Sequence, residues 1–93
     1  METLTLQGEL NIYQATSLRA QLEQALDDGV DSVDLSAVTE FDTSAAQILI
    51  WARREAAERG RTLRLTGASA AVSEYLALMG MQTLLPCEPG APA

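Results

Sequence analysis

The chain has no histidine and no lysine, and its single cysteine is Cys87. Without histidine the commonest general base and metal ligand is missing, and Ser-His-Asp and Cys-His catalysis go with it. One cysteine supports neither a disulfide framework nor a cysteine-built zinc site, and suits a reducing compartment. No apolar run approaches the length of about 18 residues that marks a membrane span. Met1-Glu2-Thr3-Leu4 lacks the basic and apolar regions of a secretory signal, so a cytoplasmic location is expected. Positive charge is also scarce. Six arginines face thirteen acidic residues, for a formal net charge of −7. Such a balance makes a poor nucleic-acid binder, because phosphate attraction supplies most non-specific affinity. The glycines at positions 8, 29, 60 and 67 are isolated and form no phosphate-cradling loop. Glu40 and Asp42 read as solvated turn carboxylates and not as an acid–base pair. The expectation is therefore a non-enzyme with no cofactor, no metal site and no membrane insertion.

What remains is enough for one small domain. The chain has 93 residues, 47% of them hydrophobic, which suits a single modest core. Thr3-Leu4-Thr5-Leu6-Gln7 alternates polar and apolar and predicts a strand. Gly8 suits a turn or bulge, and Glu9-Leu10-Asn11-Ile12 alternates again, which suggests a hairpin-like pair. Leu18, Leu22 and Leu26 then recur at helical spacing beside Ala15 and Ala25, predicting an amphipathic helix over 15–28 ended by Gly29. A strand over 30–35 follows, with Val33 and Leu35 on one face. A second helix is predicted over 44–59, with Ala45, Ile48, Leu49, Ala52 and Ala56 as its core stripe and Gly60 as its stop. Arg53 falls at the stripe's edge, where its stem can lie on apolar surface and its head reach water. Thr62-Leu63-Arg64-Leu65-Thr66 is another alternating strand. Ser69 caps a helix over 70–79 with Val72, Leu76 and Met79 inward and Tyr75 at the edge. Thr83-Leu84-Leu85 reads as a last short strand.

The fold class expected is α/β, in the order β-β-α-β-α-β-α-β. Alternating helices and strands imply parallel neighbours. Strictly alternating strands suggest a mixed, mostly parallel sheet of four or five strands with helices mainly on one face. The domain is expected over 1–86, with 87–93 a disordered tail because of its prolines and glycine.

The stretch Phe41-Asp42-Thr43-Ser44-Ala45-Ala46 joins an apolar strand to the strongest helix signal. Asp42, Thr43 and Ser44 are all helix-capping types. Ser44 and Gln47 have the spacing of a capping box, which predicts Ser44 as the cap and leaves the Thr43 hydroxyl free to face solvent. On the helix wheel Gln47, Trp51, Arg54 and Glu58 lie together, away from the core stripe. Trp51 is the only tryptophan. Tryptophan and arginine are enriched at energetic hot spots, so this face is a candidate partner surface. The plainer alternative is that Trp51 lies flat over neighbouring apolar stems.

These residues and their order resemble the STAS domain family, named after sulfate transporters and anti-anti-sigma factors. The resemblance spans 4–85 and includes Gly8-Glu9-Leu10-Asn11, Asp34-Leu35-Ser36, Asp42-Thr43-Ser44 and Ser69-Ala70-Ala71-Val72. It implies a domain that acts by binding. In the family the Ser or Thr directly after the turn's aspartate is the residue phosphorylated by a partner kinase. That role falls on Thr43, with Ser44 as second choice. Asp42, Thr43, Ser44, Gln47, Trp51 and Arg54 are the expected partner-binding residues. The implied partner is a protein: an anti-sigma kinase, another signalling protein such as one of a chemotaxis pathway, or the ATPase of an ABC-type lipid transporter. One departure stands out. The family's glycine after the turn is Ala45 here, and a glycine there lets a partner's backbone come close.

Overall fold

A computed structural model describes residues 2–90 of the chain. Strand β1 (Thr3–Leu10) leads through a short 3₁₀ turn (Ile12–Gln14) into helix α1 (Ala15–Asp27). Strand β2 (Ser32–Phe41), helix α2 (Thr43–Glu58), strand β3 (Arg64–Thr66), helix α3 (Ala70–Leu78) and strand β4 (Cys87–Glu88) follow. The α/β class and the single layer of helices hold. The sheet runs β1-β2-β3-β4 in sequence order, and every pair of neighbours is parallel. Consecutive parallel strands joined by right-handed crossovers put all three helices on the same face. Burial agrees. Leu6, Val33, Leu35 and Leu65 are buried together with Leu22, Leu49 and Val72 from the helices. Thr3, Thr5, Gln7 and Arg64 are exposed. The polar–apolar alternation thus comes from one open face and not from antiparallel pairing.

The expected hairpin at Gly8 is replaced by one continuous strand. The 8 residues of β1 pair with the 10 of β2, and the register slips twice, between Thr5 and Gln7 and between Gly8 and Glu9. Each slip adds a residue to β2. Gly8 sits at the second slip with φ of 80°, a conformation that costs glycine little. β2 reaches six residues past its expected end at Leu35. Its buried side chains after Val33 are Leu35, Val38 and Phe41. That spacing has no strand period, so the sequence beyond Leu35 does not look extended.

The end of the chain differs more. Residues 83–85 form a turn, not a strand. Leu85 nonetheless fills the core, with only 1% of its surface exposed. Cys87–Glu88, expected within a disordered tail, instead pairs with Leu65 and Thr66 as the sheet's edge. Arg64 donates to Glu88 through Nε at 2.7 Å, and the Gly67 N–H donates to the Glu88 carbonyl at 2.9 Å. The Arg64 hydrogen bond holds the Glu88 carboxyl below its usual range. The rest of that tail, 91–93, lies outside the described residues. Met79, expected in the core, is exposed because α3 ends at Leu78.

Candidate functional site

Asp42 organises the start of α2. Its backbone is extended, and its Oδ1 accepts from the Ser44 N–H at 2.9 Å and the Ala45 N–H at 3.3 Å. Its Oδ2 accepts from the Ile12 N–H at 3.1 Å, tying the end of β1 to the start of the helix. Asp42 is therefore the cap, and Ser44 is not. The register of the cap moves back two residues because a carboxylate has two oxygens to share between two chain segments. A capping serine has one. Thr43 becomes the first helical residue and Ser44 the second.

Thr43 is exposed, as expected, but its hydroxyl is not free. It lies 2.7 Å from the Tyr75 hydroxyl of α3. The Tyr75 ring meets Phe41 edge-on, with centroids 5.3 Å apart and planes at 72°. One tyrosine thus joins the end of β2, the first turn of α2 and the middle of α3. Ser44 is half-buried, and its backbone N–H is taken up by Asp42. Ala45 and Ala46 are fully buried. The methyl group that replaces the family's glycine therefore points into the core and adds nothing to the exposed surface.

Asn11 is a contributor that the alternation pattern assigned to a strand. It is buried, and its Nδ2 donates to Glu40 at 3.1 Å and Glu9 at 3.4 Å, while its Oδ1 accepts from the Tyr13 N–H at 3.0 Å. Glu40 is thereby bound into the turn by a residue 29 positions earlier in the chain. Beyond Asn11, Ile12 and Tyr13 stand out from the surface with 66% and 90% exposure. The Asp42 bond to the Ile12 N–H ties the start of this turn to the residue before Thr43. The sequence pattern reads Ile12 as the end of an alternating strand and gives no reading of Tyr13.

On the outer face of α2, Gln47, Arg54 and Glu58 are exposed. Trp51 is half-buried against the core, and the Arg19 guanidinium of α1 lies 4.3 Å from its ring centroid. That is a cation–π arrangement between two helices. Trp51 is closer to a packed side chain than to a projecting anchor. Cys87 is half-buried and donates to the Leu85 carbonyl. Burial pushes its thiol up, against the pull of nearby Arg53, which disfavours the reactive thiolate. Among the described residues no helix is long and apolar enough to cross a membrane, and no cluster of His, Cys, Asp or Glu could hold a metal ion.

Curated proteins give no match to this chain. Among solved structures it is similar to the NMR structure of the protein TM1081, with a TM-score of 0.73 at 19% identity. The match covers 95% of this chain and 73% of the other. At that identity the likeness speaks for the fold alone. The family described as "Mlab, STAS domain" matches residues 2–86, nearly the whole sequence, and the chain belongs to the STAS domain family.

Proposed function

We propose that this chain is a cytoplasmic STAS-type regulatory protein that acts by binding a protein partner, an anti-sigma kinase or another signalling protein, through the surface around Thr43. The observation that carries the reading is the Thr43 hydroxyl. It is exposed on the first turn of α2 and held toward Tyr75. Asp42 precedes it and accepts from the Ile12 N–H, and Gln47 follows one turn along the helix. Apolar Ile12 and Tyr13 supply area for a contact, and the hydroxyl supplies its centre.

Thr43 is also the site at which we place regulation. A phosphate adds about −1.5 to −2 charges. A helix N-terminus favours negative charge, so the fold survives the modification. Asp42 beside it has both carboxylate oxygens committed to backbone N–H groups and repels the new anion. A partner shaped for a neutral hydroxyl would then bury an unpaired charge, and binding is lost without unfolding. The second reading is an accessory subunit docked on the ATPase of an ABC-type lipid transporter. The family description that matches this chain favours it.

The experiment is to identify the protein that co-purifies from the native cell and measure its affinity for wild type, Thr43→Ala and Thr43→Glu. Thr43→Ala should bind, and Thr43→Glu should bind more weakly, with less than the full effect of a phosphate. Incubation with the partner kinase and ATP, followed by mass spectrometry, locates any phosphate. Phosphate found only at other positions, or Thr43→Glu binding as tightly as wild type, would sink the assignment. A transporter ATPase recovered in place of a kinase selects the second reading.

A further inference from the structure

The six arginines are of two kinds. Arg59 pairs with Asp27 at 2.9 Å, Arg64 pairs with Glu88, and Arg19 lies over Trp51. Arg53, Arg54 and Arg61 have neither a carboxylate nor an aromatic partner among the described residues. All three line one open groove of about 370 Å³, between the C-terminal half of α2, the approach to β3 and the turn before Leu85. Ile50, Ala57, Leu63 and Leu84 supply its apolar surface, and no acidic residue lines it. Leu84 is 59% exposed there.

Two of the guanidinium groups are held in place without being neutralised. Arg53 Nη1 donates to the Leu84 carbonyl at 2.8 Å, and Arg61 Nη2 donates to the Leu26 carbonyl at 2.6 Å. A carbonyl takes one of the five N–H donors of each group and leaves the positive charge intact. The ordering entropy of these long side chains is thus already spent before anything binds. In a chain with net charge −7, three unneutralised arginines around one apolar groove are a local reversal of sign.

We propose that this groove is a docking site for an acidic segment of a partner protein. An apolar side chain of the segment lies against Ile50, Ala57 and Leu84, and carboxylates on either side of it meet Arg54 and the free N–H donors of Arg53 and Arg61. Charge complementarity selects an anion. The net charge selects a peptide over a bilayer, because an anionic membrane surface repels a chain of this charge. The groove is separate from the Thr43 surface. At about 1.5 Å per residue, Arg54 lies roughly 16 Å along α2 from Thr43. The inference therefore does not rest on the proposed role of Thr43.

The test titrates the isotope-labelled full chain, followed by NMR, with a short blocked peptide of alternating glutamate and leucine. A lysine–leucine peptide of equal length, inorganic phosphate and phosphatidylglycerol vesicles are the other arms. The expected result is saturable shifts at Ile50, Ala57, Leu63 and Leu84 that weaken as salt is raised. Arg54→Glu should melt like wild type and bind roughly tenfold more weakly, since it replaces an attraction with a repulsion. Thr43→Glu should bind the peptide as wild type does. The proposal is overturned if the lysine–leucine peptide binds as well, if shifts fall elsewhere, or if phosphate alone reproduces them. Vesicle binding without peptide binding overturns it in favour of a lipid.

Discussion

At its N-terminus α2 has two backbone N–H groups and one hydroxyl matched inside the molecule. Asp42 accepts from three backbone N–H groups, and the Thr43 hydroxyl meets that of Tyr75. At its C-terminal half the same helix carries Arg53 and Arg54 with Arg61 beside them, fixed in part by carbonyls and left with their charge. The first arrangement stabilises the fold and presents a neutral, oriented hydroxyl. The second ties α1 and the turn before Leu85 to their neighbours through carbonyls and leaves its charge without an acidic partner among the described residues. On the proposed reading, the internally satisfied surface is the one switched by adding charge. A surface that is left unsaturated is fit to recognise charge.

The core side chain between the two halves gives the largest expected effect. Leu49 has no exposed surface and packs in the cluster that joins the helices to the sheet. Leu49→Ala should cost about 2–5 kcal/mol, the range for truncating a buried leucine. That is a large share of the stability of a small domain. Both ends of α2 should fail together in a circular-dichroism melt. A variant that melts like wild type would show that the two ends do not share this core.

Asp42→Ala and Arg54→Ala then separate the ends. Loss of the cap should cost about 1–2 kcal/mol, because two helical N–H groups and that of Ile12 lose their acceptor. Arg54→Ala should stay within about 0.5 kcal/mol of wild type, as an exposed substitution away from special features does. Equal losses in denaturant unfolding would erase the distinction between a satisfied and an unsatisfied end.

The sequence disclosed the parts of this contrast unevenly. The helices were legible because Leu18, Leu22, Leu26, Leu49, Ala52, Val72 and Leu76 keep a helical period, and all are buried. The Asp42-Thr43-Ser44 stretch was legible as a helix start, since all three residues are capping types. Which residue caps was not, because the choice depended on Ile12, 30 residues away in sequence. Tyr75 was visible only as the edge of a stripe, and its meeting with Thr43 depends on how α3 crosses β2. The second half of β2 was hidden by its two bulges, which erase the period of two. β4 was hidden because two residues beside prolines carry no pattern, and their pairing is supplied by β3 and Arg64. The groove could not be read at all, since Leu63 and Leu84 reach it from outside the helix that carries Arg53 and Arg54.

An effect smaller than loss of the cap tests the saturated end most directly. Tyr75→Phe keeps the ring, and with it the edge contact to Phe41, but removes the hydroxyl that meets Thr43. A hydrogen bond contributes about 0.5–1.5 kcal/mol net, and an exposed pair that water can replace belongs at the lower end, near 0.5 kcal/mol. Thr43→Ala should cost a similar amount for the same reason. If the two hydroxyls act on each other, the double variant should cost clearly less than the two single costs added together. Simple additivity would show that the hydroxyls are independent and that Thr43 is not oriented by α3. The same cycle on partner affinity sharpens the contrast. Tyr75→Phe frees the Thr43 hydroxyl without adding charge, so it should weaken binding less than Thr43→Glu does. Equal weakening would mean that the orientation of the hydroxyl, not its neutrality, is what a partner reads.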